Sequence, residues 1–159
     1  MSKSTTCCFT GHRFLDKSFD SVRLRNAIVA MIEKGVDTFI CGGALGFDTE
    51  AAVEIIKLRK KQYKHIKLHI YAPCQGQDAR WYPRDQRLYR EILLRADYVD
   101  MPEIPYNNTC MKTRNYKMVE SSSYVIAYYD GTFASGTGQT VRYAEKCGLE
   151  IVNLYGASK

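Results

Sequence analysis

The sequence lacks several features, and each absence excludes a class. None of its six cysteines (Cys7, Cys8, Cys41, Cys74, Cys110 and Cys147) stands in a C-x-x-C pair. Zinc ribbons and dithiol redox motifs are therefore set aside, and a set of reduced thiols is expected rather than a disulfide framework or a metal site. No apolar run approaches the ~20 residues needed to span a bilayer. The opening Met1-Ser2-Lys3-Ser4-Thr5-Thr6 has no apolar signal core, so a cytoplasmic protein with no membrane partner is expected. No Walker A sequence occurs, and the one glycine cluster ahead of a late helix has Val141 where a G-x-G-x-x-G motif needs its last glycine. Ordinary P-loop and dinucleotide-oxidoreductase readings are disfavoured on those grounds. Acidic residues are also in deficit, 17 against 23 basic, which leaves a formal charge of +6 and favours an anionic ligand or partner.

What is present alternates. Apolar runs at Thr6–Thr10, Thr38–Cys41, Leu68–Ala72, Tyr98–Met101, Tyr124–Tyr129 and Ile151–Leu154 read as strands. Between them, Leu24, Ala27, Ile28, Met31 and Ile32 recur at helical spacing and stop at Gly35. Ala51, Ala52, Ile55 and Ile56 mark a second helix, and Leu88, Ile92 and Leu93 a third. Met111–Ser122 and a segment through Val141, Ala144 and Cys147 supply two more, while Pro102–Cys110 reads as loop. Regular alternation predicts an α/β fold, a three-layer Rossmann-like arrangement with a mostly parallel sheet. Nothing divides the chain, so one domain over residues 1–159 is expected.

In open parallel sheets ligands sit beyond the carboxyl ends of the strands. Three stretches fall on that edge: Gly11-His12-Arg13, Gly42-Gly43-Ala44-Leu45-Gly46-Phe47-Asp48, and Asp130 through Ser135-Gly136-Thr137. Glycines at Gly42, Gly43 and Gly46 let the backbone approach a ligand closely, and each helix start behind them offers unpaired N–H groups. Arg13 is a candidate phosphate ligand, or else a partner for Asp48. His12 is a candidate proton donor, or a residue that orients the loop. Asp48 is a candidate base or ribose acceptor, with an N-cap as the plainer account. Trp81 is a candidate for stacking on a base, and Arg114 and Asn115 are candidates to reach the edge from the helix before the fifth strand. The basic cluster Lys57, Arg59, Lys60, Lys61, Lys64 and Lys67 is a solvated helix face or, as an alternative, a nucleic-acid contact.

Thr10-Gly11-His12-Arg13 followed by Gly42–Asp48 resembles the YpsA-like (DUF1273) family of the SLOG superfamily, which includes the LOG phosphoribohydrolases and the DprA Rossmann domain. Pro73, Trp81, Ala96-Asp97, Tyr106, Arg114-Asn115, Met118-Val119, Ser121 and Tyr129-Asp130 extend the likeness along nearly the whole chain. The resemblance implies a nucleotide or nucleotide-derived ligand of the ADP-ribose or NAD type at the glycine loops, no required cofactor, and a homodimer as a common state. It leaves open N-glycosidic hydrolysis of a nucleoside monophosphate and single-stranded nucleic-acid binding. Ala134–Val141 departs from the LOG P-G-G-x-G-T segment, lacking its proline and the glutamate close behind; the first acid after it is Glu145.

Overall fold

The computed structural model describes residues 1–156. After a short 3-10 turn at Lys3–Thr5, the chain runs β1 (Thr6–Gly11), α1 (Ser21–Glu33), β2 (Thr38–Cys41), α2 (Phe47–Lys61), β3 (Lys67–Tyr71) and α3 (Pro83–Arg95). It continues as β4 (Tyr98–Asp100), α4 (Cys110–Glu120), β5 (Tyr124–Tyr128), α5 (Gly136–Lys146) and β6 (Glu150–Asn153). All six strands are parallel, in the order β4-β3-β2-β1-β5-β6.

Local chemistry explains the boundaries. Asp20 caps α1 by accepting from the Val22 N–H at 2.8 Å, and Gly35 at φ +103° turns the chain after it. Pro83 occupies the first turn of α3, where its missing N–H costs nothing. The helix expected to reach Ser122 ends at Glu120. There the Ser121 and Ser122 hydroxyls turn back to the Lys117 and Met118 carbonyls at 2.9 and 2.8 Å and close the last turn.

Period-2 alternation along the strands fills two cores. Cys7 and Phe9 of β1, Phe39 and Cys41 of β2, Leu68 and Ile70 of β3, and Ile126 and Tyr128 of β5 face the side covered by α1, α2 and α3. Their neighbours Cys8, Ile40, Tyr71, Val125 and Ala127 face the other side, against Met118 and Val119 of α4 and Val141 and Ala144 of α5. Both faces are therefore apolar, as a parallel sheet sandwiched by helices requires. Cys7, Cys8 and Cys41 belong to these interiors, Cys74 and Cys110 are buried outside them, and Cys147 is exposed; all six are free thiols. Burial pushes the Cys8 thiol up to about 12, so it behaves as a small apolar side chain.

Candidate functional site

Strand order reverses at β1. The chain moves outward through β2, β3 and β4, then crosses back to place β5 on the other side of β1. Helices leaving β1 and β5 diverge to opposite faces and open a crevice above the two carboxyl ends. The loops that rim it are locked together by backbone bonds. The His12 N–H donates to the Tyr128 carbonyl at 3.3 Å, and the Phe47 N–H donates to the His12 carbonyl at 3.1 Å.

His12 is the clasp between the loops after β1 and β5. Its Nε2 accepts from the Asp130 N–H at 2.9 Å and lies 3.0 Å from Asp130 Oδ1. A neutral imidazole uses the first contact and an imidazolium the second, so either charge state holds the loops. Asp130 is kept below the usual carboxylate range, chiefly by the Thr132 N–H at 2.9 Å and less by His12. Of the two roles expected for His12, loop orientation is the one the geometry displays.

The glycines act mainly toward the protein itself. A Cβ on Gly11 would lie 2.5 Å from the Phe47 side chain, and one on Gly46, which has φ +84°, would lie 2.2 Å from the Arg13 carbonyl. Above Gly42 the space is taken by Arg114 and Asp48, with Nη1 at 2.6 Å and Oδ2 at 2.9 Å from the position a Cβ would occupy. Gly43, at φ +73°, is flanked by Tyr89 and Gln77. Gly42, Gly43 and Gly46 thus pack against the protein itself and, like Asp130, do not line the cleft.

Arg114 and Asp48 are the two charges buried there, each 6% exposed. Arg114 Nη1 donates to the Gly42 carbonyl at 2.5 Å and the Tyr71 carbonyl at 3.1 Å, and Nε donates to Asn115 Oδ1 at 2.7 Å. Its Nη2 meets only the Met111 sulfur at 3.8 Å, a weak acceptor. Burial draws the guanidinium below its usual range, and the Asp48 charge is the main opposing influence. Asp48 is not the helix cap: Gly46 holds that position, and the Asp48 carboxylate turns back from the first turn to accept from the Ala44 N–H at 3.3 Å. Burial pushes its carboxyl up to about 6 against the charge of Arg114, the Ala44 and Gly42 N–H groups and Arg13.

These residues open onto a cavity of about 250 Å³. Of the candidates, Gly11, His12, Arg13, Ala44, Asp48, Arg114, Asn115, Ser135, Gly136 and Thr137 line it. The start of α5 points at it: the Ser135 hydroxyl caps by accepting from the Gly138 N–H at 2.9 Å, and the Gly136 and Thr137 N–H groups find no partner among the described residues. Asp48 is the one carboxylate on the wall, since Glu145 is exposed far along α5. Trp81 stands outside. It lines an adjoining groove of about 710 Å³ that shares Arg13 with the cleft, and its ring packs edge-on against Tyr89 at 5.3 Å. The basic cluster ends α2 at the opposite edge of the sheet, where Arg59 pairs with Asp97 and bonds the Arg95 carbonyl.

Two features escaped sequence reading. Met111 reaches the cleft because it lies three residues, one turn, before Arg114 on α4. Asp16 accepts from the Ser18 N–H and hydroxyl at 2.7 and 2.6 Å and from the Tyr128 and Tyr155 hydroxyls at 2.8 and 2.7 Å, tying the first loop to the chain's end. The Asp-x-Ser turn was there to be found; its tyrosine partners are more than a hundred residues away. Among the described residues no group of His, Cys, Asp and Glu is disposed to hold a metal, and no helix is long and apolar enough to cross a membrane.

An all-parallel doubly wound sheet, with a polar cleft at its switch point, defines a Rossmann-like α/β protein. Comparison makes the class specific: a model of the YspA SLOG family matches residues 18–151, and the chain belongs to that family. It is 32% identical over 122 residues to a UPF0398 protein of Halalkalibacterium halodurans, covering 76% of this chain and 61% of that one. It is 31% identical over 142 residues to the uncharacterised SPbeta prophage-derived protein YoqJ of Bacillus subtilis, covering 79% and 82%. The chain thus spans less than two thirds of the first relative's length and most of the second's. Among solved structures, DNA processing protein A from Helicobacter pylori, described for its single-stranded DNA binding mode, superposes with a TM-score of 0.67. That match has 18% identity and covers 94% of this chain and 64% of that one, a likeness of fold.

Proposed function

We propose that the cleft binds a nucleotide or nucleotide-derived ligand through its phosphate. The observation that carries this reading is the buried Arg114 guanidinium, whose Nη2 has only a thioether for company, beside the unpartnered Gly136 and Thr137 N–H groups on the same cavity wall. A buried donor without an oxygen acceptor is costly, and an anion satisfies it together with the positive end of α5. Arg13, exposed and without an ion-pair partner among the described residues, closes over the outer side. Calorimetry with AMP, ADP, ADP-ribose and NAD tests the proposal. At least one should bind, and Arg13→Ala should weaken it about tenfold, the loss of one charge-assisted contact. No heat with any of the four rejects it.

A second reading, cleavage of an N-glycosidic bond, draws on Asp48, a carboxyl in the cleft whose raised pKa suits a general base near neutral pH. No second carboxylate lines the wall to share the work. Chromatography of nucleotides after incubation with excess protein decides it, unchanged substrate dismissing the enzyme.

A further inference from the structure

The strongest feature outside the cleft is the outer face of α3 and the groove beside it. Between residues 80 and 95 the chain carries five arginines against Asp85 and Glu91. Glu91 is engaged with Arg95 at 2.7 Å. Arg80, Arg84, Arg87 and Arg90 are exposed and have no carboxylate partner among the described residues. Helical geometry sets Arg84, Arg87 and Arg90 within roughly 120° of arc, opposite the buried Tyr89 and Ile92, and spreads them over about 9 Å of axis. A row of unpaired guanidinium groups that repel one another is unfavourable until an anion is laid along it.

At the start of α3, next in the chain to Arg84, lies the groove of about 710 Å³, which Arg84, Arg87 and Arg90 do not themselves line. Arg13 and Arg80 stand on its walls with Trp81, Tyr82 and Tyr106. Tyr82 is 80% and Tyr106 67% exposed, unusual for rings with nothing packed on them. Asp85 is the one acid on its wall. Aromatic faces beside a track of arginines are what a single strand needs: bases stack on the rings while the backbone phosphates follow the charges. A lipid surface or an acidic peptide would use the arginines but leave a recessed aromatic groove without a role.

We propose that the outer face of α3 and the Trp81–Tyr82–Tyr106 groove form a binding track for single-stranded nucleic acid. The track is distinct from the basic end of α2, where Glu54 sits among Lys57, Lys60 and Lys61 and pairs with Arg25. It is also separable from the nucleotide cleft, which it meets only at Arg13.

The test is fluorescence anisotropy of a labelled oligothymidylate of about 20 nucleotides, longer than one expected site, against the whole chain over a range of salt. Four arginine–phosphate contacts on a single strand predict a slope of log K on log salt of about −3. The triple variant Arg84→Ala, Arg87→Ala, Arg90→Ala should weaken binding at least tenfold and bring the slope to about −1. Tyr82→Ala with Tyr106→Ala should weaken binding while leaving the slope unchanged. All five positions are exposed, so the variants should fold, which far-UV circular dichroism checks. Lys57→Ala, Lys60→Ala, Lys61→Ala should bind as the parent does, and the arginine triple should still bind any mononucleotide the cleft accepts. Absence of oligonucleotide binding at low salt overturns the proposal. So does a loss confined to the α2 variant, and so does retention on phosphatidylserine vesicles by a protein indifferent to the oligonucleotide.

Discussion

Arg114 occupies the space that a side chain at position 42 would need: a Cβ on Gly42 would stand 2.6 Å from Nη1 and 2.7 Å from the guanidinium carbon. The Gly42 carbonyl is also the closest acceptor of that group, at 2.5 Å. Gly42→Ala therefore evicts the arginine from its seat and leaves donors and a buried charge without their partners. A loss of about 2–4 kcal/mol is expected, an overpacking cost plus a lost charged hydrogen bond. Urea unfolding measures it, and a midpoint equal to the parent's would show that the arginine has another place to go.

That relationship explains why the site was only partly legible in the sequence. The glycines at 42, 43 and 46 announced a close approach, which occurs. Yet a glycine leaves the same signature whether the neighbour is a ligand or a side chain from elsewhere in the chain. Arg114 comes from a helix 72 residues away, and no local pattern links it to Gly42. Strands were easier, because Thr38–Cys41 and Tyr124–Tyr128 are bounded by their own composition and by the period of side chains along them. Trp81 was hard to place for a related reason: a lone tryptophan after a strand carries no mark of which cavity it lines, and its packing against Tyr89 sets it in the groove beside the cleft.

Asp48 gives stability a pH dependence whose sign follows from burial. Its folded pKa of about 6 lies above the ordinary carboxylate value near 4, so between those two values the folded chain holds a proton that the unfolded chain has lost. Stability from this group is present below pH 4 and falls as pH rises through 6, by about 3 kcal/mol in all. Asp48→Asn should flatten that part of the profile, as seen in urea midpoints between pH 4 and 7. A profile with the same slope in the variant would assign the effect to another group.

Glycines with positive φ are not equivalent, and two of them separate strain from collision. Gly35 at φ +103° has open space where a Cβ would go, whereas Gly46 at φ +84° has the Arg13 carbonyl 2.2 Å away. Gly35→Ala should cost about 1–2 kcal/mol, the backbone strain alone. Gly46→Ala adds a backbone clash that no rotamer relieves, and it should lower thermal stability several times as far or prevent folding. Equal shifts in melting temperature for the two would mean that the first and second loops can separate.

Anion binding and the protonation of Asp48 are coupled, because a phosphate placed against Arg114 takes up the positive charge that now favours the ionised carboxylate. Arg114 is the largest influence holding the Asp48 pKa down against burial. A bound anion should raise that pKa further, and linkage then requires binding to take up protons. For a rise of about one unit above 6, affinity should be about fivefold greater at pH 6 than at pH 8. Titration calorimetry in two buffers of different ionisation heat reads the proton uptake directly. Asp48→Asn should bind with an affinity independent of pH over that range. Uptake that persists in the variant would move the coupling from Asp48 to another group.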